Sequence, residues 1–306
     1  MAVEIQEGFG YNETLAIARL ADESRVEGLM LAEHYCSPGD PHSTTDAPDA
    51  WIYLGALARE TENVKIGTLV SPITFRHPAV YAKMAATLDL VSGGRAELGL
   101  GAGWLGAEHS AYGFPFPDGP TRVSMLAEQL EIINGLWATS SFSFKGNYYS
   151  LRECSFTPKR QGFRPPLLVG GQASSLRLLS VAARFADEYV LTRGTPEECR
   201  LVKQALAARS EKRRALPDAV RLGLFARLAL HDEGTVSPYK GKEIPSASDH
   251  EWIVGSMDAV RSRLLRFREA GVDSLYISVE TARHAEAAVA IAEVLHTPGV
   301  QSASGP

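Results

Sequence analysis

The stretch from residue 66 to residue 108 constrains the fold more than any other, because it joins two apolar strands through a helix. Residues 64–70 form the first predicted strand, the helix begins at Pro78, and residues 96–100 form the second strand. Proline suits the first helical position because its missing N–H would have no partner there. Two parallel strands joined by a helix place that helix on one face of a parallel sheet.

Polar residues and glycines gather where these two strands end. The first strand leads into the polar loop 70–78, and the second leads into the glycine-rich segment 101–108. In parallel α/β folds, ligands bind at the carboxyl ends of the strands. We therefore expect both segments to face a functional site, and the tight turn at residues 92–95 to be structural.

The alternation of strands with helices or loops continues along the whole chain. The predicted strands are residues 3–6, 28–32, 64–70, 96–100, 166–169, 188–192, 221–230 and 274–279. Eight strands without a linker predict an α/β protein with the (β/α)8 TIM-barrel fold. We expect one domain over residues 1–296 and a flexible tail over residues 297–306.

Two segments interrupt this pattern. Residues 142–151 alternate around a Gly-Asn pair, which predicts a β-hairpin. Residues 231–250 are polar and rich in Gly, Pro and Ser, with a length typical of a functional loop or a mobile lid. We expect insertions at the C-terminal face of the barrel, with the hairpin over its mouth.

The composition narrows the possible partners. With 31 basic and 36 acidic side chains, the net charge of −5 gives no basic surface for nucleic acid. No apolar run reaches the roughly 18 residues of a membrane span, and the first ten residues lack the pattern of a signal peptide. The three cysteines are scattered, which argues against a disulfide framework. We expect a cytoplasmic protein with neither a nucleic-acid nor a membrane partner.

His34 and Trp104 stand at predicted strand ends. An imidazole can hydrogen-bond an oxyanion or transfer a proton, because its pKa lies near neutrality. The alternative is a histidine that bonds a neighbouring carbonyl at the barrel rim. Glu33 is expected to be a structural carboxylate that could orient His34. Trp104 either offers a flat surface to a ligand or is a wedge in the core, and the sequence leaves both open.

Residues 170–175 join a strand to a helix through two glycines and two serines. Free N–H groups and the positive end of the helix form an anion site there, and the hydroxyls of Ser174 and Ser175 add donors. The segment is not GxGxxG, so a Rossmann dinucleotide site is not indicated. We expect this loop to bind a phosphate group.

Two other kinds of chemistry are less well supported. His34, His42, Asp46 and Asp49 lie close together in sequence, but neither HxH nor HExxH occurs, so a metal site is not expected. Cys36 lies near His34 and could be a thiol nucleophile. A free cysteine in a loop is more often inert.

The segments AEHY, GTLVSPITFRHPAVYAKMAATLDLVSGGRAELGLGAGW and EHSAYGFPFP, in this order, resemble the luciferase-like monooxygenase superfamily. The resemblance is closest to its branch of coenzyme F420-dependent (5-deazaflavin) oxidoreductases and covers most of the chain. It implies a barrel that binds a flavin-like cofactor at its C-terminal face and transfers a hydride. It also implies a homodimer, because barrels of this family often pair.

The resemblance assigns roles to individual residues. His34 would sit beside the flavin ring and the substrate, and the Leu69–Val70 bond would be a non-prolyl cis peptide. Relatives carry a carboxylate at or near Trp104; here Glu108 is the nearest, which makes it the candidate general acid. The positions assigned to the cofactor are Leu69, Val70, Ser71, Thr74, Gly101, Ala102, Gly170, Gly171, Gln172, Ser174 and Ser175.

Three functions remain open at the level of sequence. The first is a dehydrogenase or reductase that uses F420, which passes hydrides and does not activate oxygen. The second is an FMN-dependent monooxygenase, because both cofactors share a ring system and a phosphate. The third is a non-enzymatic flavin-binding member of the family. Arg76 and His77 could bind the cofactor or pair with a carboxylate across the rim.

Overall fold

The computed structural model describes residues 1–38, 42, 44–160, 162–210, 219–230, 252–279 and 282–296. The strands are β1 (Ala2–Val3), β2 (Gly28–Leu31), β3 (Lys65–Pro72), β4 (Ala96–Gly101), β5 (Ser141–Lys145), β6 (Ser150–Ser155), β7 (Leu167–Gly171), β8 (Glu188–Leu191), β9 (Arg221–Leu230), β10 (Trp252–Gly255) and β11 (Ser274–Val279). The helices are α1 (Tyr11–Asp22), α2 (Ala50–Glu60), α3 (Pro78–Ser92), α4 (Gly106–Tyr112), α5 (Gly119–Ala138), α6 (Leu176–Phe185), α7 (Pro196–Ser210), α8 (Met257–Glu269) and α9 (Ala282–His296).

The strands β1, β2, β3, β4, β7, β8, β9 and β11 form a closed parallel barrel. Each pairs in parallel with the next, and β11 pairs with β1 to close the ring. This confirms the predicted (β/α)8 barrel. A parallel barrel buries both faces of its strands. The larger core lies between the strands and the helices, and a smaller one fills the barrel with Ala2, Met30, Leu69, Leu168 and Val190.

The carboxyl ends of the eight strands meet at one end of the barrel, so the loops after β2, β3, β4 and β7 are neighbours. Helix α3 begins after the β3 loop, with Pro78 in its first turn. It ends at Gly93, whose φ of 72° is the left-handed conformation that glycine adopts without steric cost. The predicted unit of residues 64–100 is therefore confirmed, with strands at its two ends and the turn at the opposite side from the mouth.

The structure corrects one predicted element and adds two that were not predicted. The first strand ends at Val3, because the chain turns through a short 3-10 helix, Ile5–Glu7, that closes at Gly8. Helix α4 lies in the segment after Trp104, where no helix was predicted. Strand β10 pairs in parallel with residues 227–230 of β9 and lies outside the closed ring.

The hairpin of β5 and β6 is antiparallel, as predicted. It packs against α5, and the Tyr149 ring beside its turn lies 5.5 Å from that of His77 in the loop after β3. A methyl group added at Gly135 of α5 would lie 2.2 Å from the ring of Phe142. Only glycine at this position leaves room for the hairpin to pack this closely. Glu128 of α5 accepts the N–H groups of the hairpin turn, including that of Tyr149 at 3.1 Å. The apolar face of the hairpin packs against α5, which explains why the hairpin lies along this helix.

Two expectations concern residues outside the described ranges, namely the loop 231–250 and the tail 297–306. The division into one domain over residues 1–296 stays a prediction.

Candidate active site at the carboxyl end of the barrel

His34 follows β2 and meets both other residues that were expected to be catalytic. Its Nδ1 lies 3.1 Å from Oε2 of Glu108, which α4 carries. The rings of His34 and Trp104 meet edge to face, with centroids 5.8 Å apart. The His34 side chain is 14% exposed, and Trp104 is 65% exposed. The site therefore combines a sheltered imidazole with an open indole surface.

Glu108 is fully buried behind His34. Its Oε2 contacts His34, and its Oε1 accepts the backbone N–H of Tyr35 at 2.5 Å. A carboxylate can only accept, so Nδ1 of His34 carries the hydrogen and Nε2 has a free lone pair. Among the described residues, His34 Nε2 has no hydrogen-bond partner. This geometry does not fit a Glu108 that protonates a substrate directly; it fits a carboxylate that orients His34.

The peptide bond between Leu69 and Val70 is cis, as the resemblance implied. The pairing of β3 with β4 shifts register at this point. Methyl groups added at Gly99, Gly101 and Gly170 would lie 3.2, 2.7 and 3.0 Å from the Val70 side chain. The three glycines therefore make room for Val70, which is half-buried at the floor of the mouth.

Ser71 and Thr74 were expected to offer hydroxyls to the cofactor, but other groups engage both. The Ser71 hydroxyl is fully buried and accepts Nε1–H of Trp51 at 3.2 Å, on the helix side of the strand. Oγ1 of Thr74 lies 2.5 Å from Nε2 of His109. His109 in turn donates from Nδ1 to the Leu105 carbonyl at 2.8 Å. The Ser71 hydroxyl therefore faces away from the mouth, and Thr74 fixes the start of α4.

The loop expected to bind phosphate leads into α6. Its N-cap, Ser175, makes no side-chain hydrogen bond to the first turn. No side chain thus competes with an anion for the N–H groups there. A methyl group added at Gly171 would lie 2.3 Å from Leu178, so this glycine serves the packing of α6.

The remaining residues of this loop shape its backbone. The Gln172 carbonyl accepts the Tyr189 hydroxyl at 2.9 Å, and the Ser174 carbonyl accepts the Leu176 N–H at 3.1 Å. Gln172 and Ser174 are exposed at the surface. Their side chains are accessible to a ligand at the start of α6.

Arg76 pairs with carboxylates below the rim, one of the two roles left open by the sequence. It contacts the buried Glu33, and its Nη2 donates to the Tyr35 hydroxyl at 2.9 Å and to Asp49 at 3.1 Å. Burial raises the pKa of Glu33, and the charge of Arg76 opposes this. Burial alone would lower the pKa of Arg76, but the charge of Glu33, the interaction with Tyr81 and the hydrogen bonds to both together raise it. His77 instead caps α3 through Nδ1, which accepts the N–H of Ala79 at 3.2 Å.

Arg122 was not found from the sequence. Its Nε donates to the carbonyl of Ala102 at 3.0 Å, and its guanidinium lies 3.8 Å from the Phe116 ring centroid. The contact spans 20 residues between the end of β4 and α5, without a local pattern that would indicate it. Arg122 holds the backbone where β4 leaves the barrel.

The described residues hold no group of three or more His, Cys, Asp or Glu that could bind a metal ion. Cys36 is buried, and burial raises the pKa of its thiol, with the charge of Glu108 adding to the effect. A reactive cysteine needs a lowered pKa. Among the described helices, none is both long and apolar enough to cross a bilayer.

The fold and the site define a (β/α)8 barrel with polar side chains at its carboxyl end, and comparison with known proteins gives the family. The profile of the luciferase-like monooxygenases matches residues 2–235. The chain belongs to the luciferase-like monooxygenase family.

Relatives by sequence include two kinds of enzyme. The F420-dependent glucose-6-phosphate dehydrogenase of Microbacterium testaceum (strain StLB037) is 36% identical over 195 residues, 63% of this chain and 56% of that protein. The chain thus spans little more than half the length of this relative. The pyrimidine monooxygenase RutA of Pseudomonas syringae pv. syringae (strain B728a) is 28% identical over 267 residues, 83% of this chain and 72% of that protein.

Solved structures share the whole barrel. An F420-dependent secondary alcohol dehydrogenase, in complex with an F420-acetone adduct, has a TM-score of 0.78 at 17% identity and covers 92% of this chain and 94% of its own. The EDTA monooxygenase of Chelativorans sp. BNC1 has a TM-score of 0.79 at 16% identity, with 95% and 88% covered. At such identities the likeness shows the fold alone.

Proposed function

We propose that the protein is an oxidoreductase that uses coenzyme F420 to transfer a hydride to or from a small organic substrate. The observation that carries this proposal is the His34–Glu108 pair, which leaves Nε2 of His34 free at the carboxyl end of the barrel. The sequence relatives with 30–36% identity that are named F420-dependent support the choice of cofactor.

The residues at the mouth suit a flat ring with a phosphate-bearing tail. The glycines around Val70 keep the floor free of other side chains. Helix α6 is ten residues long, and no side chain caps its first turn. The N–H groups of this turn are therefore available to the phosphate. Val70, Gly101 and Gly170 would lie under the ring, and residues 170–175 would hold the phosphate.

Bound F420 supplies the carbon that accepts or gives up a hydride. The chain itself moves the proton. When an alcohol is oxidised, Nε2 of His34 takes the hydroxyl proton while the hydride leaves the carbinol carbon, which becomes a carbonyl. In the reverse direction the imidazolium returns the proton to the oxygen. Glu108 stabilises the imidazolium, and Trp104 covers the apolar part of the substrate and excludes water.

A second candidate is an FMN-dependent monooxygenase, which the RutA relative favours because its match extends over 83% of the chain. Purification from a host without F420 separates the two. We expect a colourless protein that quenches the fluorescence of added F420 in a saturable titration. A protein that is stoichiometrically yellow with FMN and ignores F420 would overturn the choice. A protein that binds a flavin but turns over no alcohol or carbonyl compound would favour the non-enzymatic alternative.

The protein is further proposed to work in the cytoplasm as a homodimer. The outer faces of α2 and α3 expose Ile52 (73%), Val80 (47%) and Leu90 (40%), which a second copy would cover. Light scattering tests the dimer, and Ile52→Glu should shift the mass toward the monomer. A wild-type mass of one chain at micromolar concentration would contradict this.

A further inference from the structure

We infer that Arg76 is a positioning residue for His34, because it fixes the chain on both sides of the imidazole. Its role in turnover rests on the proposed function. The placement of the His34 ring can be measured without any cofactor.

Arg76 reaches both neighbours of His34 from the loop after β3. Its Nη1 donates to the carboxylate of Glu33, and its Nη2 donates to the hydroxyl of Tyr35 at 2.9 Å. Nη2 also donates to Asp49 at 3.1 Å, and Asp49 is the N-cap of α2. These three contacts connect the end of β2 with the loop after β3 and with the start of α2.

The backbone of Tyr35 is held as well. Its N–H donates to Glu108, and its carbonyl accepts the hydroxyl of Tyr112 at 2.7 Å. His34 is therefore held at both flanking residues by Arg76 and at its ring by Glu108. If Arg76 is lost, Glu33 and Tyr35 lose their common partner, and the imidazole can leave the position in which Nδ1 meets Glu108.

A contribution to stability does not by itself explain why the Arg76–Glu33 pair is buried here. Glu33 is 1% exposed, and its desolvation offsets much of the attraction to Arg76. Two neutral side chains of similar volume would often be as stable. Only the guanidinium fork donates in several fixed directions at once, which a neutral pair and a lysine cannot reproduce. This difference separates positioning from stabilisation experimentally.

The experiment compares the single variant Arg76→Met with the double variant Glu33→Gln/Arg76→Met. The single variant leaves a buried carboxylate without its cation, so we expect the melting temperature to fall by roughly 6–10 °C, or folding to fail. The double variant removes both charges and should melt within about 3 °C of the wild type. Its kcat should nevertheless be lowered roughly 10–100-fold, the usual cost of losing a group that orients a functional side chain, with the KM for F420 within threefold.

The second readout is ¹⁵N NMR of the histidine side chains, with the His34 signals assigned through His34→Gln. In the wild type we expect Nδ1 protonated and Nε2 unprotonated. In the double variant we expect averaged shifts of the two tautomers. A matched control is Asp89→Asn/Arg160→Met, which removes an ion pair whose charged atoms lie 2.9 Å apart. Its carboxylate, Asp89, is also 1% exposed and lies near the end of α3 that is far from Arg76. It should leave the His34 signals and kcat unchanged.

Recovery of both stability and kcat in the double variant, with wild-type His34 signals, would overturn the inference, as would an equal effect of the control. If wild-type protein fails to bind F420, the proposed function fails. The NMR comparison still tests the positioning role in that case.

Discussion

The carboxylates buried at the two ends of the barrel are partnered in opposite ways. At the carboxyl end, Glu33 contacts Arg76 and accepts from Trp51 at 3.3 Å, and Glu108 binds His34 and the Tyr35 N–H. All four carboxylate oxygens there have a partner in a fixed direction. Such hydrogen bonds to ionised groups are directional and strong.

The amino end buries Glu97 and Glu188 with looser partners. Oε1 of Glu97 lies 3.5 Å from Nζ of Lys65, which is 45% exposed. Oε2 of Glu188 accepts the Tyr276 hydroxyl at 3.2 Å. Its Oε1 has no partner among the residues that the structure describes. Both carboxylates line a cavity of about 360 Å³ at the strand starts.

The comparison shows that a buried carboxylate does not necessarily orient its neighbours. Burial raises the pKa of Glu33, Glu97 and Glu188 alike, but only Glu33 shares its cation with the residues that flank His34. We propose that the carboxylates at the carboxyl end orient a proton-transfer group. Those at the amino end have fewer partners in fixed directions.

The largest expected effect is that of His34→Gln at the carboxyl end. General acid–base groups contribute about 10²–10⁴-fold, so kcat should fall by that factor. The dissociation constant of F420 should stay within a few-fold, because the histidine acts on the substrate. Single-turnover rates, fluorescence titration and melting temperature on one preparation measure these quantities. Near-normal turnover with a lowered melting temperature would make His34 structural.

Glu108→Gln should have the next largest effect. The amide keeps the volume but removes the charge that stabilises the His34 imidazolium and fixes its tautomer. We expect kcat/KM to fall roughly 10–100-fold. A pH profile of kcat/KM is the measurement, and an unchanged profile would show that Glu108 does not act through His34.

Much of this architecture could be predicted from the sequence, because its signals are local. Apolar strands, Pro78 at a helix start and glycines at turns each lie within a few residues of the element that they define. The prediction failed where the pattern is polar. Helix α4 buries Glu108 and His109, so it has no apolar period to indicate a helix.

Pairings between distant residues could not be predicted. Arg76 and Glu33 are 43 positions apart in the sequence. Several carboxylates were possible partners of Arg76 across the rim, and nothing local in the sequence distinguished among them. The hydroxyl of Ser71 likewise shows why a strand end alone is insufficient. Side chains alternate between the barrel and the helices, and the shift in register around the cis bond decides which side each residue faces.

At the amino end, Glu188→Gln should stabilise the protein. The folded-state pKa of Glu188 is raised, so its stability cost appears as pH rises above the ordinary carboxyl value near 4.5 and is complete above the raised pKa. We expect a gain of about 0.5–2 kcal/mol at pH 7 that disappears below pH 4. Denaturant unfolding at both pH values measures it, with exposed Glu23→Gln as control. A loss of stability at pH 7 would mean that Glu188 is as well partnered as Glu108.

The smallest expected effect is that of Lys65→Met, which removes the cation of the amino-end pair as Arg76→Met removes that of the carboxyl-end pair. Lys65 is 45% exposed and its Nζ lies 3.5 Å from Glu97, so solvent already screens the pair. Because the cation of this pair stays largely in solvent, we expect the melting temperature to change by less than about 2 °C. Activity should be unchanged, because no contact links Lys65 to His34 in the described part of the chain. Melting curves of both variants under one buffer condition decide the matter. A fall for Lys65→Met as large as that for Arg76→Met would show that the two ends hold their carboxylates equally tightly, and the distinction between orientation and burial would not stand.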